Sequence, residues 1–151
     1  MALLVTGGLG YIGSHACVAL AAAGRKQLVI LDNLSNAKGS ALERIRELAP
    51  GATIEFVRAD VRDRAALDEL LSARRIDAVL HFAGLKAVGE SVRTPDAYHD
   101  NNVVGTRVLI EAMRHHGVRR IVFSSSATVY GKPEKLPYTC LLYTSPSPRD
   151  S

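Results

Sequence analysis

Apolar runs of strand length alternate along this chain with stretches in which apolar residues recur at helical spacing, and the alternation opens on a strand. Runs rich in Val, Ile, Leu or Phe predict strands at Ala2–Thr6, Gln27–Asp32, Thr53–Arg58, Ala78–Phe82 and Arg120–Ser124. Between them the spacing predicts helices at Tyr11–Ala23, Ser40–Ala49, Arg62–Ala73 and Asp96–His116. Pro95 suits a first helical turn, and Gly24 and Gly117 suit helix C-terminal ends. Strands this uniformly apolar belong in a sheet covered on both faces. Right-handed crossovers between them predict an α/β fold, a doubly wound parallel sheet of strand order 3-2-1-4-5. No repeat is visible beyond this alternation.

Composition narrows the class. At 151 residues, 47% hydrophobic and 23% charged, the chain has the make-up of one domain with a buried core. No stretch approaches the roughly 18 consecutive apolar residues of a membrane span, and the N-terminus lacks a secretory signal's basic flank, so a cytoplasmic location without a membrane partner is expected. A formal charge of +4 would suit nucleic acid, but the basic residues are interspersed with acidic ones, as in LERIRELAP from Leu42 to Pro50. No aromatic residues interleave with them as a base-stacking surface requires, so no nucleic-acid partner is expected. The two cysteines, Cys17 and Cys140, provide neither a disulfide framework nor a metal cluster.

The first strand runs directly into TGGLGYIG. Gly7, Gly10 and Gly13 stand three apart, and Gly8, Gly10 and Gly13 also satisfy GxGxxG. Glycine suits a sharp strand-to-helix turn whose main chain approaches a pyrophosphate lying at the helix's positive N-terminal end. The strand before and the helix after separate this from a glycine turn that serves chain geometry alone, and make the fold Rossmann-type. Asp32 ends the second strand about 20 residues further on, where a carboxylate accepts hydrogen bonds from both hydroxyls of an adenosine ribose and repels a 2′-phosphate. No arginine adjoins it, so NAD is expected rather than NADP; the plainer role is a cap at a strand end. Asp60 after the third strand is open between a cofactor contact and an N-cap of a helix beginning at Arg62. His81 inside a buried strand reads as a satisfied core histidine, and Tyr98, His115 and His116 read as surface residues.

TGGLGYIGSH, LDNLSN, ADVRD, HFAGLKAVGES, NNVVGT and SSSATVYG, in this order and spacing, resemble the UDP-glucose 4-epimerases of the extended short-chain dehydrogenase/reductase family from Leu3 to Tyr138. The Lys86-bearing loop HFAGLKAVGES is the most diagnostic segment. The resemblance implies that Tyr11 and Ile12 lie against the pyrophosphate, that Asp32, Asn33 and Asn36 hold the adenosine ribose region, and that Asp60 with Val61 flanks the adenine. Phe82, Ala83, Gly84 and Lys86 would follow the cofactor toward the nicotinamide, with Asn101 touching the same loop from its helix. Ser124 would lie near the cofactor, and Ser126 would be the catalytic serine that bonds the sugar hydroxyl, with Lys86 also at the substrate. Ala37 departs from the family's frequent serine.

The implied chemistry is transfer of a hydride from hexose C4 to NAD and its return to the other face, interconverting UDP-glucose and UDP-galactose. A tyrosine base with a lysine four residues later is implied too, and no tyrosine in this chain has that lysine: Tyr130 and Tyr138 precede its expected place, and Tyr143 lies in the tail. The chain is therefore expected to be an N-terminal fragment without its last strands and substrate domain, inactive alone, and monomeric where the full-length parent is a homodimer. Ala127 and Thr128 stand where sugar-nucleotide dehydratases need acids, although other sugar-nucleotide epimerases, and a non-catalytic NAD-binding protein, stay open. Residues 1–139 make up the expected domain. Cys140 to Ser151, CLLYTSPSPRDS, breaks the alternation and resembles a translated transposase-type sequencing adapter, so it is expected to be a non-native tail.

Overall fold

A computed structural model describes residues 1–126; the expectations for Tyr130, Tyr138, Tyr143 and the 140–151 tail lie outside them. The strands are β1 (Ala2–Thr6), β2 (Gln27–Asp32), β3 (Thr53–Arg58), β4 (Ile76–His81) and β5 (Ile121–Phe123), and every pairing is parallel in the order β3-β2-β1-β4-β5. This is the sheet expected from the sequence. Register runs from Leu3 opposite Leu28 to Thr6 opposite Leu31, and on the other side Thr6 lies opposite His81. Strand ends differ from expectation by one or two residues. Ladder bonds nonetheless continue past them, from Phe82 N to Thr6 O (2.9 Å) and from Ser124 N to His81 O (3.1 Å).

Alternation along each strand divides the core between the two faces of the sheet. Leu4, Val29, Leu31 and Val79 pack with Leu67, Leu70 and Leu71 of helix α3 (Arg64–Ala73) and Leu109, Ala112 and Met113 of helix α6 (Gly105–His115). On the opposite face Val5, Leu28, Ile30 and Ile54 pack with Cys17 of α1 (Tyr11–Ala22) and Ile45 of α2 (Ser40–Leu48). Burial pushes the Cys17 thiol up to about 12, which keeps it a protonated, inert core group.

Two parts of the helical expectation need correction. Helix α3 begins at Arg64, and its N-cap is Asp63, whose Oδ1 accepts from Ala66 N at 3.0 Å; Asp60 is therefore not the cap. The expected Asp96–His116 helix is continuous but not α-helical throughout. A short helix α4 (Val88–Arg93) precedes it, Pro95 starts α5 (Pro95–His99), and a widened π turn (Asp100–Val104) leads into α6. Gly24 and Gly117 follow α1 and α6 as expected, with Arg25 N bonding Leu20 O and Val118 N bonding Met113 O, both at 2.9 Å. Among the described residues no helix is long and apolar enough to cross a membrane.

Candidate functional site

Side by side, β1 and β4 carry their crossovers to opposite faces of the sheet, and a crevice opens beyond their carboxyl ends. The cleft holds 510 Å³ and runs from Asp32, Asn33, Ser35 and Asn36 past the glycine turn to Phe82–Lys86, Asn101 and Ser124. It gathers Gly7, Gly10, Tyr11, Ile12, Gly13, Asp32, Asn33, Asn36, Val61, Phe82, Ala83, Gly84, Lys86, Asn101 and Ser124 from the sequence expectation. Asp60 and Ser126 are not part of this wall. Ser126 follows β5 and is partly buried, while Ala59 and Val61 line the cleft on either side of Asp60.

The glycine turn is built by steric exclusion. Gly7 has φ of 67°, and a Cβ there would stand 2.5 Å from Ala83 N, so a bare main chain is what lets the turn pass against the end of β4. A Cβ on Gly13 would lie 2.2 Å from Gly7 O, so the first turn of α1 seats directly on the loop. No side chain caps the start of α1. The early amides of a helix have no intrahelical acceptor, so this end carries free donors and positive dipole charge suited to an anion.

Beside the turn lies Asp32, 7% exposed. Its Oδ2 accepts from Leu9 N at 3.0 Å and its Oδ1 from Leu34 N at 2.9 Å, so the carboxylate is pinned at both oxygens while each keeps a lone pair. The second bond helps hold Leu34 at φ 60°, a left-handed backbone for a side chain that packs on the Val5 and Ile30 side of the core. Asn33 accepts from Ser35 N at 2.9 Å and donates to Asp60 Oδ2 at 2.8 Å. The remaining acceptor positions of Asp60 take Arg62 N, Nε and Nη2 at 2.8–2.9 Å. The Arg62 guanidinium holds the Asp60 carboxyl far below the usual carboxylate range, and Asp60 in turn raises the guanidinium.

At the far end the loop after β4 is held from the helical side. Asn102 accepts from Leu85 N at 2.8 Å and donates to Leu85 O at 3.0 Å, a two-point grip on one residue. Asn101 donates to Asn102 Oδ1 at 2.9 Å, supporting the residue that grips the loop. Tyr98 bonds the Ala87 main chain and lies 2.8 Å from Glu90 Oε2, a loop anchor where the sequence reading saw only surface. Lys86 folds back over Gly84, where a Cβ would stand 3.4 Å from its Cε.

Beneath the loop, His81 joins sheet to helix. Thr106 donates its hydroxyl proton to Asn102 O at 2.6 Å, so its oxygen must accept from His81 Nε2–H at 2.9 Å. Nδ1 then carries no proton and accepts from the Thr6 hydroxyl at 2.6 Å. Burial, assisted by the charge of Lys86, lowers His81 to about 4, in keeping with this neutral tautomer. The reading of His81 as a satisfied core residue agrees with these bonds. His116, by contrast, pairs with Asp68 at 2.9 Å between α6 and α3.

The profile of the NAD dependent epimerase/dehydratase family matches residues 3–150. The chain belongs to this family. Among curated relatives, the UDP-glucose 4-epimerase of Bacillus subtilis (strain 168) is 56% identical over 139 residues, 92% of this chain and 40% of that protein. That of Yersinia pestis is 59% identical over 138 residues, 91% of this chain and again 40% of that protein, so the chain spans about two fifths of these relatives. Among solved structures, UDP-glucose 4-epimerase from Stenotrophomonas maltophila with bound NAD and formylated UDP-arabinopyranose superposes with a TM-score of 0.89 at 49% identity, covering 96% of this chain and 43% of that one. The Bifidobacterium longum enzyme in complex with NAD+ and UDP gives 0.90 at 44% identity, with the same coverage. Within this epimerase/dehydratase member, Asn102, Arg62, Thr106 and Tyr98 were missed by sequence reasoning. The only signal for Asn102 was its place beside Asn101 in NNVVGT.

Proposed function

We propose that the chain forms the NAD-binding half of a UDP-glucose 4-epimerase, in which bound NAD supplies reversible hydride acceptance at hexose C4. One observation carries this reading: the pinned carboxylate of Asp32 and the uncapped, glycine-lined start of α1 line one cleft. An acid beside free helix amides suits a ribose joined to a diphosphate.

In this reading Asp32, with Asn33 and Asn36, holds the adenosine ribose region. Gly7, Gly10, Tyr11, Ile12 and Gly13 cradle the diphosphate, and Asp60 and Val61 flank the adenine. Phe82, Ala83, Gly84, Lys86, Asn101 and Ser124 line the nicotinamide end. Ser126 would hydrogen-bond the sugar hydroxyl that loses its proton, and Lys86 would help retain UDP-glucose or UDP-galactose. No tyrosine of the 151 residues is followed four positions later by lysine, so the chain alone is expected to bind NAD without converting either sugar nucleotide. A homodimeric cytoplasmic parent without nucleic-acid partners fits the same reading.

Calorimetric titration with NAD tests it. Charge-assisted bonds to ribose are worth about 1.5–3 kcal/mol each, so Asp32→Asn, which also sets an amide NH2 against the Leu9 or Leu34 N–H, should weaken NAD at least about tenfold. Equal affinity in the variant would overturn the assignment, and conversion of UDP-galactose by the unaltered chain would overturn its expected inactivity.

A further inference from the structure

Arg62 lies within ADVRD but has no role in the proposed function, yet it is the residue that bridges two acids: a forked pair with Asp60 and a 2.6 Å contact from Nη1 to Asp100 Oδ2. Its partners come from different elements. Asp60 follows β3 and also receives Asn33 from the loop after β2, whereas Asp100 heads the π turn whose next residues are Asn101, on the cleft wall, and Asn102, which grips Leu85. The two chain segments are in close contact here. A Cβ on Gly105 would stand 2.9 Å from Val61 Cγ2 and 3.4 Å from Arg62 Cγ.

Neutralising a single acid would need only one of these contacts. Arg62 instead spans two acids whose main chains lead to opposite ends of the cleft, and its planar fork fixes direction as well as charge. We infer that Arg62 is a positioning residue, tying the Asp60–Val61 turn at the adenosine end to the Asp100–Asn102 turn that sets Asn101 and the Leu85 loop at the other end. This rests on the proposed NAD reading, because it assigns the two ends of the cleft to the two halves of that cofactor. Without the tie, each turn samples arrangements that do not fit the ligand, and affinity falls with the competent fraction.

The test is titration of the full chain and its variants with NAD and, separately, with ADP, which reaches only the adenosine end. Half-exposed ion pairs of this kind support changes of about two- to fivefold. Arg62→Gln should weaken both ligands, NAD by about fivefold, and Arg62→Lys, which keeps the charge without the fork, should recover part of that loss. Asp100→Asn leaves the Asp60 fork in place, so it should weaken NAD about twofold and leave ADP unchanged. The double variant should bind NAD no worse than Arg62→Gln alone, since the two residues act as one unit. Wild-type NAD affinity in Arg62→Gln, or additive losses in the double variant, would overturn the tie while leaving the NAD reading intact. Failure of the unaltered chain to bind either ligand would overturn both.

Discussion

Acidification should destabilise this domain well above the range in which carboxylates titrate, and His81 should be the cause. Its imidazole is 1% exposed, and burial, followed by the charge of Lys86, lowers it from 6.5 to about 4. Between those values the unfolded chain binds a proton that the folded chain refuses, so stability is fully present above the unfolded value and is lost as pH falls toward the folded one. Each pH unit of that gap is worth about 1.4 kcal/mol, giving a loss of about 2 kcal/mol by about pH 5 and about 3 kcal/mol by about pH 4. The lowered carboxyls of Glu55, Asp60 and Asp68 have ordinary values of 4.5, 3.8 and 3.8, so their losses come at lower pH. Urea unfolding at about pH 7 and about pH 5 measures the effect, with His81→Asn as the non-titrating control. That variant should be less stable at neutral pH but nearly flat across the interval. An equal pH dependence in both proteins, or an NMR titration placing the His81 midpoint near 6.5, would refute the argument.

Two other substitutions probe the cleft itself. Gly13→Ala puts a methyl 2.2 Å from Gly7 O, a main-chain atom that cannot step aside; the expected cost is about 3 kcal/mol or more, read as a lower urea midpoint. Asn102→Leu removes both side-chain bonds to Leu85, so the Leu85 amide should exchange with deuterium about tenfold faster while amides of β1 and β2 keep their protection.

The fold was legible because its information is local and repeated. Val29 to Asp32 could only be a buried strand, and the alternation of such runs with helical segments determined the sheet order before any contact was known. The half of the cleft made by one continuous segment, Gly7 to Gly13, was equally plain, since glycine spacing reports directly on main-chain approach. What escaped was whatever depends on two segments meeting. Asp63, not Asp60, caps α3, because both acids precede the helix and only geometry decides between them. Asn102 and Tyr98 matter through bonds to Leu85 and Ala87, and a polar residue on a helix reads as solvent-facing until its partner loop is placed. Arg62 was hidden for the same reason, its second acid lying in another element.

The π turn between α5 and α6 adds a residue without a matching advance of the screw. Side chains ahead of it are thereby out of phase by about 100° with those behind, relative to an unbroken α-helix. One continuous rod can therefore address two targets, with Leu109 and Met113 behind the turn facing the sheet and Tyr98 ahead of it bonded to the Ala87 main chain. Its widest turn serves as a phase shifter, and deleting one residue of it would swing Tyr98 away from Ala87 while leaving composition and hydrophobicity nearly untouched.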